Sequence, residues 1–109
     1  MTEEGEIQKA VFAELKARAM PGVVAWHVPN DRASRRKAGF VRGVHDVHAL
    51  HRGKFYSLEL KAERGTVQVE QLMFRDRIND AGGFSFIAYG RDAAFKALEG
   101  WGLLRREAA

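Results

Sequence analysis

The chain has 109 residues, no cysteine and a formal net charge of +4, with 46% hydrophobic and 29% charged residues. That is enough for one domain, residues 1–109, around a small core. Disulfides, cysteine-ligated zinc and a thiol nucleophile are excluded, and no apolar run approaches the length of a membrane span. The acidic start Met-Thr-Glu-Glu-Gly-Glu lacks the basic and apolar parts of a signal peptide, so the expected location is cytoplasmic. The mild positive excess is compatible with a polyanionic partner.

Residues 3–18 predict a helix. Ile7, Ala10, Val11 and Leu15 recur at helical spacing, and Lys16 and Arg18 stand where cations suit the helix dipole. Glu4 and Gln8 continue the Val11–Leu15 stripe toward its polar end. Met20-Pro21-Gly22 breaks the helix, and Val23 to Val28 predict a strand closed by Pro29-Asn30. From Asp31 to Gly43 the chain loses apolar periodicity and becomes basic, with Arg32, Arg35, Arg36, Lys37 and Arg42. Such a loop suits phosphate contacts, which position a nucleic acid without reading its sequence, or else it is simply a solvated charged loop.

Two short apolar strands follow, joined at Arg52-Gly53. If these two residues form the loop of a hairpin, His51 faces Lys54, and counting outward brings Asp46 opposite Glu59. Side chains alternate along a strand, so Lys61 shares the face of Glu59, while Val47, Ala49, Tyr56 and Leu58 form the other, apolar face. Like charges across an antiparallel pair destabilise it. Two readings of the pair stay open: the carboxylates hold a hard cation such as Mg²⁺ or Mn²⁺, or Lys61 neutralises Glu59 while Asp46 ends its strand. His45, His48 and His51 have a helix-face spacing of three, so on a strand they do not make a three-histidine site; His48 is expected at the rim of the carboxylate face.

Beyond the turn at Glu63–Thr66, a helix is predicted from Gln68 to Ala81, with Gln71, Phe74, Ile78 and Ala81 facing inward and Gly82-Gly83 as its stop. Phe84 to Tyr89 predict a strand, parallel to 55–61 through a βαβ crossover. Asp92 is expected to cap a short helix over 93–99. Trp101, Leu103 and Leu104 are too apolar for a free tail and either cover the sheet or meet another subunit, which suggests a homodimer.

Asp46 followed by Glu59-Leu60-Lys61 on the next strand resembles the PD-(D/E)XK nuclease pattern. With Glu4-Gly5-Glu6-Ile7-Gln8, the Gly43-Val44-x-Asp46 run and Gln71 on the later helix, the chain resembles the VRR-NUC branch, small phage-type and repair nucleases, over nearly its whole length. One departure is His45, where the family usually has Pro before the aspartate. The resemblance implies an α/β, restriction-endonuclease-like core with a mixed β-sheet flanked by helices, in the order α-β-β-β-α-β-α. It also implies Mg²⁺- or Mn²⁺-dependent cleavage of DNA, branched or flapped structures above all, by a homodimer. Asp46, Glu59 and the Leu60 carbonyl would be metal ligands with Glu4 at the site's edge, Lys61 would act on the attacking water, and Gln71 would hold Lys61 or the phosphate. Asn30 and the basic residues after it would meet DNA.

Overall fold

A computed structural model describes residues 2–29 and 36–106 of the chain. Helix α1 (Glu3–Arg18) begins where the Thr2 hydroxyl accepts the Gly5 N–H at 3.0 Å, with three glutamates in its first turn and Lys16 and Arg18 in its last. Its buried stripe is Ile7, Val11 and Leu15. Strand β1 (Val24–His27) follows, shorter at both ends than the apolar run. Strands β2 (Val47–His51) and β3 (Lys54–Lys61) form the hairpin in the register obtained by counting, with His51 across from Lys54 and Val47 across from Leu58. Its loop has φ 52° at Arg52 and 78° at Gly53. Positive φ at both loop residues is what a two-residue turn needs to follow the twist of its strands.

Helix α2 (Val69–Asp80) carries the chain to β4 (Phe84–Tyr89), which lies parallel to β3, and α3 (Arg91–Gly100) ends the series. The order is α-β-β-β-α-β-α, and the four strands lie side by side as β1-β2-β3-β4. Alternation divides the mixed sheet into two unlike faces. On one, Val47, Ala49, Tyr56, Leu58, Leu60 and Ala88 pack against Ile7, Val11 and Leu15 of α1 and Ala94 and Leu98 of α3. The other carries His48, Ser57, Glu59 and Lys61 and is covered in part by α2 through Phe74.

Three details differ from the sequence reading. Ala81 is exposed beyond the end of α2, so the inward stripe of that helix stops at Ile78. Gly90 is the N-cap of α3 at φ 90°, which puts Asp92 in the first turn. Leu103 and Leu104 are buried in their own chain's core, with the Met20 N–H donating to the Leu103 carbonyl at 2.8 Å. They cover the sheet, so the ground they offered for a homodimer falls away. Among the described residues no helix is long and apolar enough to cross a membrane. Asn30, Arg32 and Arg35 lie outside the described residues.

Gly43 sits where the chain turns into β2 against the first turn of α2. At φ +79° a side chain is strained, and a Cβ would stand 2.1 Å from the Glu70 carbonyl oxygen. Gly39 shares the strain, at φ +83°, but has open space around it. Gly43→Ala is therefore expected to destabilise by about 2–4 kcal/mol, through clash added to strain, and Gly39→Ala by only about 1–2 kcal/mol. Denaturant unfolding of the two variants checks the order; equal losses would mean that the approach of α2 is not tight.

Candidate metal centre

The hairpin pairing runs from His51–Lys54 out to Val47–Leu58, and the next residues outward on its two sides are Asp46 and Glu59. Asp46 precedes β2, and its Oδ2 accepts the Leu60 N–H at 3.1 Å. Glu59 and Lys61 are 3% and 6% exposed. Lys61 Nζ lies 3.5 Å from Glu59 Oε2, and Gln71 Nε2 donates to the same oxygen at 2.8 Å. The Gln71 Oε1 accepts the Gln68 N–H at 2.9 Å, so the amide is locked with its donor on the carboxylate and its acceptor on the start of α2. Gln71 thus bonds Glu59, whereas the resemblance implied that it holds Lys61 or the phosphate. Its place is set by helical spacing, one turn ahead of the buried Phe74.

Glu59 Oε2 therefore has two partners, whereas Oε1 is buried and has none among the described residues. A buried oxygen in that state loses its water without replacement. Burial pushes the Glu59 carboxyl up to about 8, helped by the charge of Asp46 and opposed by Lys61. Asp46 is also raised, first by burial, against the Leu60 N–H, which favours its charged form. Burial therefore favours a proton on the pair, and a bound cation would favour its loss.

The main-chain oxygen of Leu60 completes this edge. Lys61 O accepts the Gly90 N–H at 2.8 Å on the β4 side. Successive residues of a strand direct their peptide groups to opposite edges, so the Leu60 carbonyl points away from β4, toward the Asp46 side. Glu4 stands at the margin, with its Oε2 3.5 Å from the Ala62 N–H just past Lys61, and its charge also raises Asp46. No three histidine, aspartate or glutamate side chains converge on one point among the described residues. Two carboxylates, one of them with an orphaned oxygen, and a peptide carbonyl fit Mg²⁺ or Mn²⁺. Mg²⁺ in particular binds through one or two carboxylates and fills its remaining positions with water and phosphate oxygens.

The histidines lie elsewhere. His51 Nε2 bonds Pro21 O at 3.1 Å. His48 is not at the rim: it packs among Trp26, Phe55 and Phe74, with ring centroids 5.0–6.0 Å away, and burial lowers its pKa. His45 is fully buried and bonds Ser57, Ser85 and the Gln71 carbonyl. Ser57 and Ser85 carry no motif that sequence reading could have used; the only signal was a histidine in the family's proline position. Of the basic loop, Arg36, Lys37 and Arg42 are exposed on the approach to β2.

The whole is an α/β arrangement with a mixed sheet between helices, and comparison with known proteins narrows it. No family profile and no curated protein matches the sequence. Among solved structures the chain is similar to a VRR_NUC domain, with TM-score 0.68 and 21% identity over 93% of this chain and 99% of that one. It is also similar to a VRR_NUC domain protein, with TM-score 0.76 and 16% identity over 97% and 98%. At these identities the likeness is one of fold, and the chain has the VRR-NUC fold.

The raised Glu59 carboxyl makes a signed prediction. Because it holds its proton more tightly folded than unfolded, wild-type protein in EDTA should lose stability relative to Glu59→Gln as pH rises from about 4.5 to about 8. Melting curves at steps between pH 4.5 and 9 check this. A difference in melting temperature that stays flat with pH would show that Glu59 is not held against its charge.

Proposed function

We propose that the protein is a metal-dependent nuclease that hydrolyses phosphodiester bonds in DNA. The observation that carries this reading is the buried Glu59 and Lys61 beside the half-buried Asp46 at one end of the hairpin, with one Glu59 carboxylate oxygen left without a partner among the described residues. The fold supports it, because the similar solved structures are VRR_NUC domains, a name that denotes a nuclease domain.

Asp46, Glu59 and the Leu60 carbonyl would hold one or two Mg²⁺ or Mn²⁺ ions, with Glu4 at the margin. When bound, the cation supplies Lewis acidity, polarising the scissile phosphate and acidifying the attacking water. Lys61, beside Glu59, orients that water and offsets the negative charge that gathers on the phosphate as the bond to it forms. Gln71 keeps Glu59 Oε2 occupied and is a positioning residue. Arg36, Lys37 and Arg42, together with the rest of the basic loop, bind backbone phosphates without regard to sequence. Contacts to the backbone rather than to bases select by DNA shape, and branched or flapped DNA is the substrate class that they suit.

Lys61→Ala should reduce Mg²⁺- or Mn²⁺-dependent cleavage by at least about 100-fold while leaving DNA binding in EDTA nearly intact. A panel of linear, nicked, flapped and four-way DNAs measures both the rate and the preference. Cleavage by the variant at the wild-type rate removes Lys61 from the mechanism, and wild-type protein that binds but never cleaves is a binding module with the same fold.

Replacing Arg36, Lys37 and Arg42 together with Gln should weaken binding to every DNA sequence alike. The slope of log affinity against log salt should shrink by about 0.9 for each duplex phosphate that is no longer neutralised. Titrations at several salt concentrations read it directly, and an unchanged slope means that these three side chains are only solvated.

A further inference from the structure

Behind Asp46 lies a polar cluster that the reaction above does not use. His45 and Ser57 are fully enclosed and Ser85 nearly so, which keeps substrate away and rules the serines out as nucleophiles. His45 Nε2 is 2.9 Å from the Gln71 carbonyl oxygen. A carbonyl only accepts, so Nε2 carries the hydrogen and Nδ1 is left as an acceptor. Nδ1 lies 3.0 Å from Ser57 Oγ and 3.2 Å from Ser85 Oγ, and the two hydroxyls are 2.6 Å apart. One hydroxyl donates to the ring and the other donates to its neighbour.

A single imidazole thus ties together four elements: the lead-in to β2, β3 through Ser57, β4 through Ser85, and the first turn of α2. The far end is itself fixed, since Asn79 of α2 accepts the Ser85 N–H at 2.8 Å and donates to the Ser85 carbonyl at 3.2 Å. Phe74 closes the ring's flank edge-on, with centroids 4.8 Å apart. The residue whose carbonyl His45 holds is the residue whose side chain holds Glu59 Oε2.

We propose that His45 is a positioning residue for the cation. It holds the Gln71 turn against the sheet, the turn aims the Gln71 amide at Glu59 Oε2, and Oε1 is left presented to the ion. The proposal rests on the metal-dependent reading above. Partners that orient metal ligands in this way typically change metal affinity by about 10- to 100-fold when removed.

The test is Mn²⁺ binding to the full chain without DNA, followed by electron paramagnetic resonance and by calorimetry. His45→Leu, which keeps apolar bulk, and His45→Ala are both expected to weaken Mn²⁺ by about 10- to 100-fold. His45→Gln, which keeps a donor for the Gln71 carbonyl, should recover most of that loss. Val11→Ala, which thins the core on the opposite sheet face, should lower the melting temperature and leave the Mn²⁺ affinity unchanged. The proposal is overturned if whichever of the Leu and Ala variants folds binds Mn²⁺ as tightly as wild type. It is likewise overturned if Val11→Ala weakens Mn²⁺ as much as they do, which would reduce His45 to general stability. Wild-type protein that binds no Mn²⁺ sinks the metal-dependent reading itself, a different failure from either of these.

Discussion

A buried glutamate and a half-buried aspartate, brought together at one end of a hairpin, form the constraint around which this protein is arranged. Burial favours the protonated form of each, and the charge of Asp46 adds to this at Glu59 while that of Glu4 adds to it at Asp46. The compensation inside the chain is incomplete. Lys61 and Gln71 both serve Oε2 of Glu59, the Leu60 N–H serves Asp46, and Oε1 of Glu59 receives nothing among the described residues. Sequences that need only to fold avoid such a pair, because a Thr or Val at either position would relieve the repulsion at no loss of packing. Strain kept at one place in an otherwise regular sheet points to chemistry at that place.

The remainder of the fold makes the constraint tolerable. The register that carries Glu59 to the end of the hairpin beside Asp46 follows from the Arg52-Gly53 loop, where both residues have positive φ. A slip of one residue would send Glu59 and Lys61 to the apolar face, where α1 and α3 pack on Leu58 and Leu60. That face acts as the rigid back of the site. On the front, α2 delivers Gln71, and its first turn is held close by Gly43 and His45. The carboxylates are thus carried by strands, strand ends and a helix start rather than by a mobile loop, which favours accurate ligand placement.

Much of this was legible in the sequence, for definite reasons. The hairpin, its register and the shared face of Glu59 and Lys61 follow from a two-residue loop and from period-two alternation, both local rules. Helices 3–18 and 69–80 were legible from apolar spacing and from their stops. The βαβ connection was enough to give β3 and β4 as a parallel pair. Contacts made by the third dimension were not legible. Nothing in the sequence places Ser57 and Ser85 on His45, because those residues lie 12, 28 and 40 positions apart and carry no pattern. His48 looked like a rim residue because alternation gives the face but not what packs above it, here Phe74 and Trp26. Leu103 and Leu104 were ambiguous for the same reason, since hydrophobicity says that a residue is covered without saying by what.

The proposed function requires the carboxylate pair to hold a divalent cation. Its most direct test is the proton balance of Mn²⁺ binding to wild-type protein, measured by titration calorimetry at pH 7 in buffers of different ionisation enthalpy. Because burial raises the Glu59 carboxyl to about 8, an ion that binds there must displace its proton. The expected result is release of about one proton per ion at pH 7, falling toward none at pH 9 and absent in Glu59→Gln. Absence of binding, or binding at pH 7 without proton release, would contradict it.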